Sequence, residues 1–139
     1  MGGIKLWRLA VRSEFSAGHA LRHYQGKCEA LHGHNFSVEM VVEGSSLQED
    51  ADFLVDFKVL KSRLNKVLEG LDHSVLNEFA PFDTINPTSE NLARHIWQSL
   101  ARVMEEPGVR LHSVTVGEKA GQSATYMEME GCVSSLEKH

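Results

Sequence analysis

The spacing of apolar residues constrains the fold of this chain most strongly, because its period changes along the sequence from two residues to about 3.6 and back to two. Strict alternation over residues 6–17 and again over residues 34–42 predicts two half-buried strands. After Asp56, a residue type that caps helices, apolar residues recur at helical spacing as far as Gly70. A second helical pattern follows residues 86–89 and stops at Pro107.

Alternation returns over residues 111–118 and 124–131, on either side of a turn around Gly121, and predicts a terminal antiparallel hairpin. The element order is therefore β-β-α-α-β-β. Strands that flank a pair of amphipathic helices are typical of an α+β fold, in which both helices pack on one face of an antiparallel sheet. With 139 residues, we expect one domain spanning residues 1–139.

The composition argues against several function classes. No apolar run approaches the roughly 20 residues that a membrane span needs, so no membrane association is expected. The formal net charge of −5 and the lack of a Lys/Arg block argue against nucleic acid as a partner. Cys28 and Cys132 are too few for a disulfide framework, and the N-terminus lacks the apolar segment of a signal peptide. We therefore expect a cytoplasmic protein.

One short segment combines residues that can do chemistry: a cysteine and a glutamate run into a His-Gly-His pair. In an extended chain His32 and His34 point to the same side, where they could bind one metal ion with Cys28 nearby as a base or nucleophile. His19 is a candidate third ligand, because it continues the apolar face of the first strand. Three imidazoles with an open fourth position favour a catalytic zinc site. The alternative is a set of partly buried histidines that hydrogen-bond to the backbone.

Two further positions carry acidic or imidazole groups at places where a site could use them. Asp72 and His73 follow the first helix and could transfer protons together, or serve only as polar turn residues. Glu118 has the parity of Val114 and Val116, so it lies on the apolar side of its strand. A ligand with adjacent N–H donors would pair with this carboxylate; the alternative is that it reaches solvent.

The remaining polar residues have simpler explanations. Helix capping accounts for Thr88, Ser89 and Glu90 at the start of the second helix. His23 and His95 match no ligand spacing and are expected at the surface.

Several of these motifs resemble, in the same order, those of the 6-pyruvoyltetrahydropterin synthase and 6-carboxytetrahydropterin synthase family. The resemblance rests on Phe15-Ser-Ala-Gly-His19, Cys28-x-x-x-His32-Gly-His34, Val55-Asp56-Phe57, Leu71-Asp72-His73, Asn86-Pro-Thr-Ser-Glu90-Asn91 and Glu118. It implies the tunnelling fold, an oligomer, such as a trimer or a hexamer of two trimers, with active sites between subunits, and a pterin triphosphate, 7,8-dihydroneopterin triphosphate, as substrate.

The resemblance also implies roles for individual residues. His19, His32 and His34 would bind Zn²⁺, Cys28 would be the catalytic base, and Asp72 with His73 would move a proton. Glu118 would anchor the pterin ring, and Thr88 with Ser89 would help to bind it.

The activity within the family depends on the segment before the first zinc histidine. Three residues between Cys28 and His32 resemble the bacterial enzymes of queuosine synthesis, which form 6-carboxy-5,6,7,8-tetrahydropterin and release acetaldehyde and triphosphate. Glu29 resembles the glutamate of relatives that cleave the side chain to 6-hydroxymethyl-7,8-dihydropterin for folate synthesis. A 6-pyruvoyltetrahydropterin synthase activity and a non-catalytic pterin-binding module stay open as alternatives.

Overall fold

Two long antiparallel strands, β1 (Trp7–His19) and β2 (His32–Gly44), form the centre of the sheet. The computed structural model describes residues 3–26 and 29–129. The two strands pair without a break from Trp7 opposite Gly44 to His19 opposite His32. This register also sets His34 beside Ala17, so all three motif histidines lie at one end of the same sheet face.

The remaining elements complete a five-stranded sheet with two helices and confirm the α+β class. They are α1 (Phe57–Glu69), β3 (Ser74–Val75), a 3₁₀ turn (Leu76–Glu78), α2 (Ser89–Val103), β4 (Arg110–Lys119) and β5 (Gln122–Tyr126). The strand order is β3-β1-β2-β4-β5, and every neighbouring pair is antiparallel except β3 with β1. β3 was not predicted, since two residues are too short to show a period.

The predicted helix starts and the end of α1 agree with the observed caps, whereas α2 ends at Val103, before the predicted stop at Pro107. The Asp56 carboxylate accepts a hydrogen bond from the Lys58 N–H at 2.8 Å, and Gly70 ends α1. The Thr88 hydroxyl accepts from the Asn91 N–H at 3.1 Å and begins α2. The predicted last strand was placed too late: β5 runs over Gln122–Tyr126, and the end of the prediction lies outside the described residues.

Both helices bury one face against the sheet. Their buried residues recur every three or four positions: Leu60, Leu64 and Leu68 in α1, and Leu92, Ala93, Ile96 and Leu100 in α2. On the sheet, Phe15 stacks on Phe36 with ring centroids 4.9 Å apart. The ring of His19 packs edge-on against Phe36 at 5.1 Å, so the core continues directly into the histidine cluster. None of the helices within residues 3–129 that the structure describes is long and apolar enough to cross a membrane.

A nearly buried carboxylate ties three strands together at the other end of the sheet. Glu43 is 7% exposed; its Oε2 accepts a hydrogen bond from Arg8 at 2.9 Å, and its Oε1 forms an ion pair with Arg110 at 3.1 Å. Burial raises the pKa of Glu43, but the hydrogen bond from Arg8 and the charges of His112 and Arg110 together lower it below its ordinary value. The ionised form of Glu43 therefore stabilises the folded sheet.

Glu43→Gln should lower the free energy of unfolding at pH 7 by about 1–2 kcal/mol, because it removes the charge that both arginines face. The folded pKa is lowered, so this contribution is present above the unfolded pKa of about 4.3 and is lost as the pH falls through the folded pKa. Urea denaturation of both proteins at several pH values measures the difference.

The matched control is Glu39→Gln, because Glu39 pairs with an Arg12 side chain that is 82% exposed. Its effect should stay below about 0.5 kcal/mol. Equal effects of the two substitutions, or a Glu43→Gln difference that persists at pH 2, would contradict this account.

Candidate metal centre and ligand pocket

Three histidines from the paired ends of β1 and β2 form a compact cluster. Each of His19, His32 and His34 offers a ring nitrogen, and these atoms all lie within 4.8 Å of one another. His19 is 1% exposed, whereas His32 and His34 are partly exposed. The cluster is thus closed on the core side and open to ligands on the other. The structure brings together the three residues whose parity predicted a shared face.

Backbone carbonyls orient two of the imidazoles. His19 Nδ1 donates to the Pro87 carbonyl at 3.0 Å, and His32 Nδ1 donates to the Ala30 carbonyl at 2.8 Å. With a proton on Nδ1, a neutral imidazole presents the lone pair of Nε2. Histidines that bind a metal through one ring nitrogen usually donate the N–H of the other to a carbonyl or carboxylate oxygen in this way.

His19 Nε2 provides the test of whether these residues fit a metal ion. It is buried and has no hydrogen-bond partner among the residues that the structure describes. A buried polar atom without a partner is costly, and a cation bound to the lone pair removes that cost. The alternative of histidines that only hydrogen-bond to the backbone therefore accounts for the Nδ1 atoms but not for this Nε2 atom.

Glu118, near the end of β4, faces the histidine cluster as its parity predicted. Its Oε1 lies 3.7 Å from His19 Nε2, and its Oε2 lies 3.5 Å from His34 Nε2. Glu118 also lines a cavity of about 260 Å³ at the start of α2. The other lining residues of this cavity are Ser89, Glu90, Gln122, Ser123 and Ala124. The histidine cluster and the cavity therefore share one carboxylate.

The two predicted ligand residues at the start of α2 have different roles. Ser89 lines the cavity, whereas the Thr88 hydroxyl caps the helix. Glu90 also lines the cavity; its first-turn position had indicated a capping role only. His95, which was expected at the surface, is only partly exposed. His95 packs against Phe82 at 5.2 Å, and burial, followed by the charge of Arg102, lowers its pKa.

Asp72 and His73 form a hydrogen-bonded pair at the β3 edge of the sheet. His73 Nδ1 lies 2.9 Å from one Asp72 oxygen, and the Ser16 N–H donates to the other at 2.8 Å. The hydrogen bond from Ser16 and the charge of His73 hold the pKa of Asp72 below its ordinary value. Asp72 therefore stays ionised and can accept a hydrogen bond from His73 Nδ1.

The position of His73 favours contact with a molecule outside its own chain. Its side chain is 83% exposed, and its backbone has a φ of 55°, which is uncommon for a residue with a side chain. A hydrogen bond from its N–H to the Ser16 carbonyl, at 2.6 Å, holds this conformation. His73 borders a hollow of about 400 Å³ that also touches His34. The structure thus does not place His73 beside the Glu118 cavity.

The three residues that follow His19 are held by side chains, a feature that sequence reasoning missed. The Asn77 amide bonds both backbone groups of Ala20, and the Asn86 amide bonds both backbone groups of Arg22. Between them, the Leu21 N–H donates to the Glu29 carboxylate at 3.1 Å. These contacts fix the direction in which the chain leaves the histidine cluster.

Glu29 contacts the residues that follow β1. Besides its side-chain contact, the Glu29 N–H donates to the Leu21 carbonyl at 2.8 Å. One Glu29 oxygen lies 4.0 Å from His32 Nδ1, so the side chain borders the histidine cluster. Cys28 itself lies outside the described residues.

Comparison with known proteins places the chain in a family. The model of the family described as 6-pyruvoyl tetrahydropterin synthase matches residues 8–129. The chain belongs to this family. The match runs from the second residue of β1 to beyond β5 and includes the three histidines, the Asp72–His73 pair and Glu118.

Two relatives of the family are equally similar in sequence but differ in name. A 6-carboxy-5,6,7,8-tetrahydropterin synthase from Synechocystis sp. is 36% identical over 126 residues, covering 87% of this chain and 93% of the relative. A dihydroneopterin monophosphate aldolase from Pyrococcus furiosus is 36% identical over 112 residues, covering 80% and 89%.

A solved member of the 6-pyruvoyl tetrahydropterin synthase family has the same fold. The structure of the Caenorhabditis elegans 6-pyruvoyl tetrahydropterin synthase superposes with a TM-score of 0.77 at 24% identity, covering 93% of this chain and 100% of that one. This likeness confirms the architecture predicted from the resemblance.

His32→Ala should sharply lower the content of divalent metal, because it removes one of the three imidazoles that converge on one point. Elemental analysis after loading and gel filtration measures the metal content. His32 is the suitable target because it is partly exposed, whereas His19 supports the core. His23→Ala is the matched control, since His23 is exposed and outside the cluster. A full complement of metal in His32→Ala would refute the site.

Proposed function

We propose that this chain is a zinc-dependent lyase. It converts 7,8-dihydroneopterin triphosphate and one water molecule to 6-carboxy-5,6,7,8-tetrahydropterin, acetaldehyde and triphosphate. The observation that carries the proposal is the convergence of three histidine nitrogens beside Glu118, a carboxylate that also lines a cavity. The name of the Synechocystis relative, at 36% identity, supports this activity.

The donor set favours zinc as the ion. Three neutral imidazoles with a fourth position open to ligands are characteristic of catalytic zinc sites. When bound, the ion supplies a Lewis acid that can hold the side-chain hydroxyls of the substrate and acidify the adjacent C–H. His19, His32 and His34 hold it, and the Pro87 and Ala30 carbonyls keep two of these rings oriented.

The cavity at the start of α2 recognises the pterin ring. The Glu118 carboxylate accepts hydrogen bonds from the adjacent N–H groups of the ring, a guanidine-like edge that suits two oxygens. Ser89 and Glu90 line the same cavity, and the Thr88 cap fixes the helix start from which both project. Thr88 thus contributes to binding by positioning its neighbours.

Two groups on the chain move protons during the reaction. The Cys28 thiolate accepts a proton from a carbon of the substrate side chain. His73 Nε2 exchanges a second proton, and Asp72 holds the ring in the tautomer that leaves this nitrogen free. Neither step needs a redox cofactor.

The exposed position of His73 favours an active site shared between subunits. His73 lies at the β3 edge, whereas Glu118 lies on β4, two strands beyond β1 in the sheet. We infer that the chain forms a homo-oligomer in which His73 of one subunit serves the metal cluster of another. A trimer or a hexamer of two trimers would give each cluster one such neighbour.

A mixture of two inactive variants should regain activity if the site is shared. Cys28→Ala and His73→Ala proteins, unfolded and refolded together, should recover about a quarter of the wild-type turnover, because random assembly leaves that share of sites intact. Each variant refolded alone is the control. Activity that stays at the level of the separate variants would contradict a shared site.

A second function is favoured by the place of Glu29. Its carboxylate borders the metal cluster, 4.0 Å from the His32 ring, and its side chain is 31% exposed. A carboxylate there can act as the base that cleaves the substrate side chain to 6-hydroxymethyl-7,8-dihydropterin. The Pyrococcus relative named as an aldolase, also at 36% identity, supports this alternative.

Product analysis with 7,8-dihydroneopterin triphosphate separates the two functions. For the main proposal, 6-carboxytetrahydropterin should dominate, and Cys28→Ala should lower turnover by about 10²–10⁴-fold, the usual contribution of a proton-transfer group. Formation of 6-pyruvoyltetrahydropterin instead would assign that activity, and pterin binding without turnover would indicate a binding module.

Glu29→Gln is the informative variant for the alternative. Glutamine keeps an oxygen that can accept from the Leu21 N–H, so the loop contact survives while the base is lost. The main proposal predicts that this variant stays active. If 6-hydroxymethyldihydropterin is the main product, persists in Cys28→Ala and disappears in Glu29→Gln, the main proposal is wrong.

A further inference from the structure

The nitrogens of His19 and His34 lie about as far from the nearer Glu118 oxygen as atoms that share one metal ion lie from one another. Ligand atoms about 2.0–2.2 Å from a tetrahedral zinc ion lie roughly 3.3–3.6 Å from one another. The Glu118 oxygens lie 3.5 Å from His34 Nε2 and 3.7 Å from His19 Nε2. Both distances are at or beyond the limit of a hydrogen bond, so a direct bond does not explain why these groups converge.

A cation between the groups would resolve the electrostatics of this contact. His19 Nδ1 uses its proton on the Pro87 carbonyl, so Nε2 presents a lone pair. An ionised carboxylate also offers only lone pairs, and two acceptors that face each other in a partly buried site repel. The unpartnered His19 Nε2 marks where the compensating charge belongs. One divalent ion would satisfy both nitrogens and the carboxylate together.

We propose that Glu118 is the fourth ligand of the metal in the substrate-free protein and that the pterin ring displaces it. This inference rests on the proposed function for the identity of the displacing molecule. The metal centre would be closed in the resting protein and would open only when a pterin engages Glu118. Binding of the ring would thereby create the coordination position that the substrate side chain needs.

The location of Glu118 suits an exchange between two positions. Its side chain is 22% exposed and borders both the histidine cluster and the cavity, so rotation about its own bonds can carry the carboxylate from one to the other. The carboxylate cannot bind the ion and accept from the N–H edge of the ring with the same lone pairs. The two partners therefore compete for it.

Cobalt(II) affinity measured without any pterin tests the first half of the proposal. Competition with a chelator should show that Glu118→Gln binds Co²⁺ about 10- to 100-fold more weakly than the wild type, with an altered visible absorption spectrum. Glu118→Asp, which keeps the charge but shortens the side chain, should also bind more weakly. Far-UV circular dichroism confirms that each variant is folded.

Glu90→Gln is the matched control for charge, because Glu90 lines the same cavity and forms no ion pair with the histidines in the described part of the chain. It should keep the wild-type affinity within about twofold. A Glu118→Gln protein with wild-type affinity and spectrum would overturn the proposal. So would a Glu118→Asp protein with wild-type affinity, since charge alone would then explain the effect.

A pterin without a side chain tests the displacement. Saturating 7,8-dihydropterin, which cannot place side-chain hydroxyls on the metal, should convert the spectrum of the wild-type cobalt protein to that of Glu118→Gln. An unchanged spectrum, with binding established by equilibrium dialysis, would overturn displacement. Absence of pterin binding would refute the proposed function instead, while the affinity measurement would still decide whether Glu118 is a ligand.

Discussion

The antiparallel pairing of β1 with β2 is the constraint on which the rest of the structure depends. The unbroken register sets His19 opposite His32 and Ala17 opposite His34. Because side chains alternate between faces, a slip of one residue would move a histidine of one strand to the opposite face from its partners. The hydrophobic pairing of Phe15 with Phe36 opposes such a slip. The packing of the core therefore also assembles the histidine cluster.

The second constraint is the segment between the 3₁₀ turn and α2, which joins the histidine cluster to the cavity at the start of α2. Asn86 and Pro87 contact Arg22 and His19, respectively, and Thr88 then begins the helix whose first turn lines the cavity. Arg22 reinforces this link by donating to the Phe82 and Ile85 carbonyls. Movement at the cavity would thus reach the metal ligand through a few bonded residues.

Much of the fold and part of the site could be predicted from local patterns. Alternation gave the parity of His19, His34 and Glu118, and parity alone places these side chains on one sheet face. The caps at Asp56 and Thr88 were also readable, because a cap is a contact over two or three residues.

Features that depend on long-range geometry could not be predicted. The amides of Asn77 and Asn86 bond backbone groups 57 and 64 positions away, and no local signal marks such partners. The contact between Glu118 and two histidines requires the β2–β4 pairing as well as parity. Glu90 was assigned to capping because its cavity forms only when β5 folds beside α2.

The most direct measurement of the central claim is anomalous X-ray diffraction from crystals of the purified, zinc-loaded protein, collected on both sides of the zinc absorption edge. The account predicts one strong peak per chain, bounded by the Nε2 atoms of His19, His32 and His34 and present only above the edge. Zinc-loaded crystals with no peak at this position, or with the only peaks at other histidines, would contradict it.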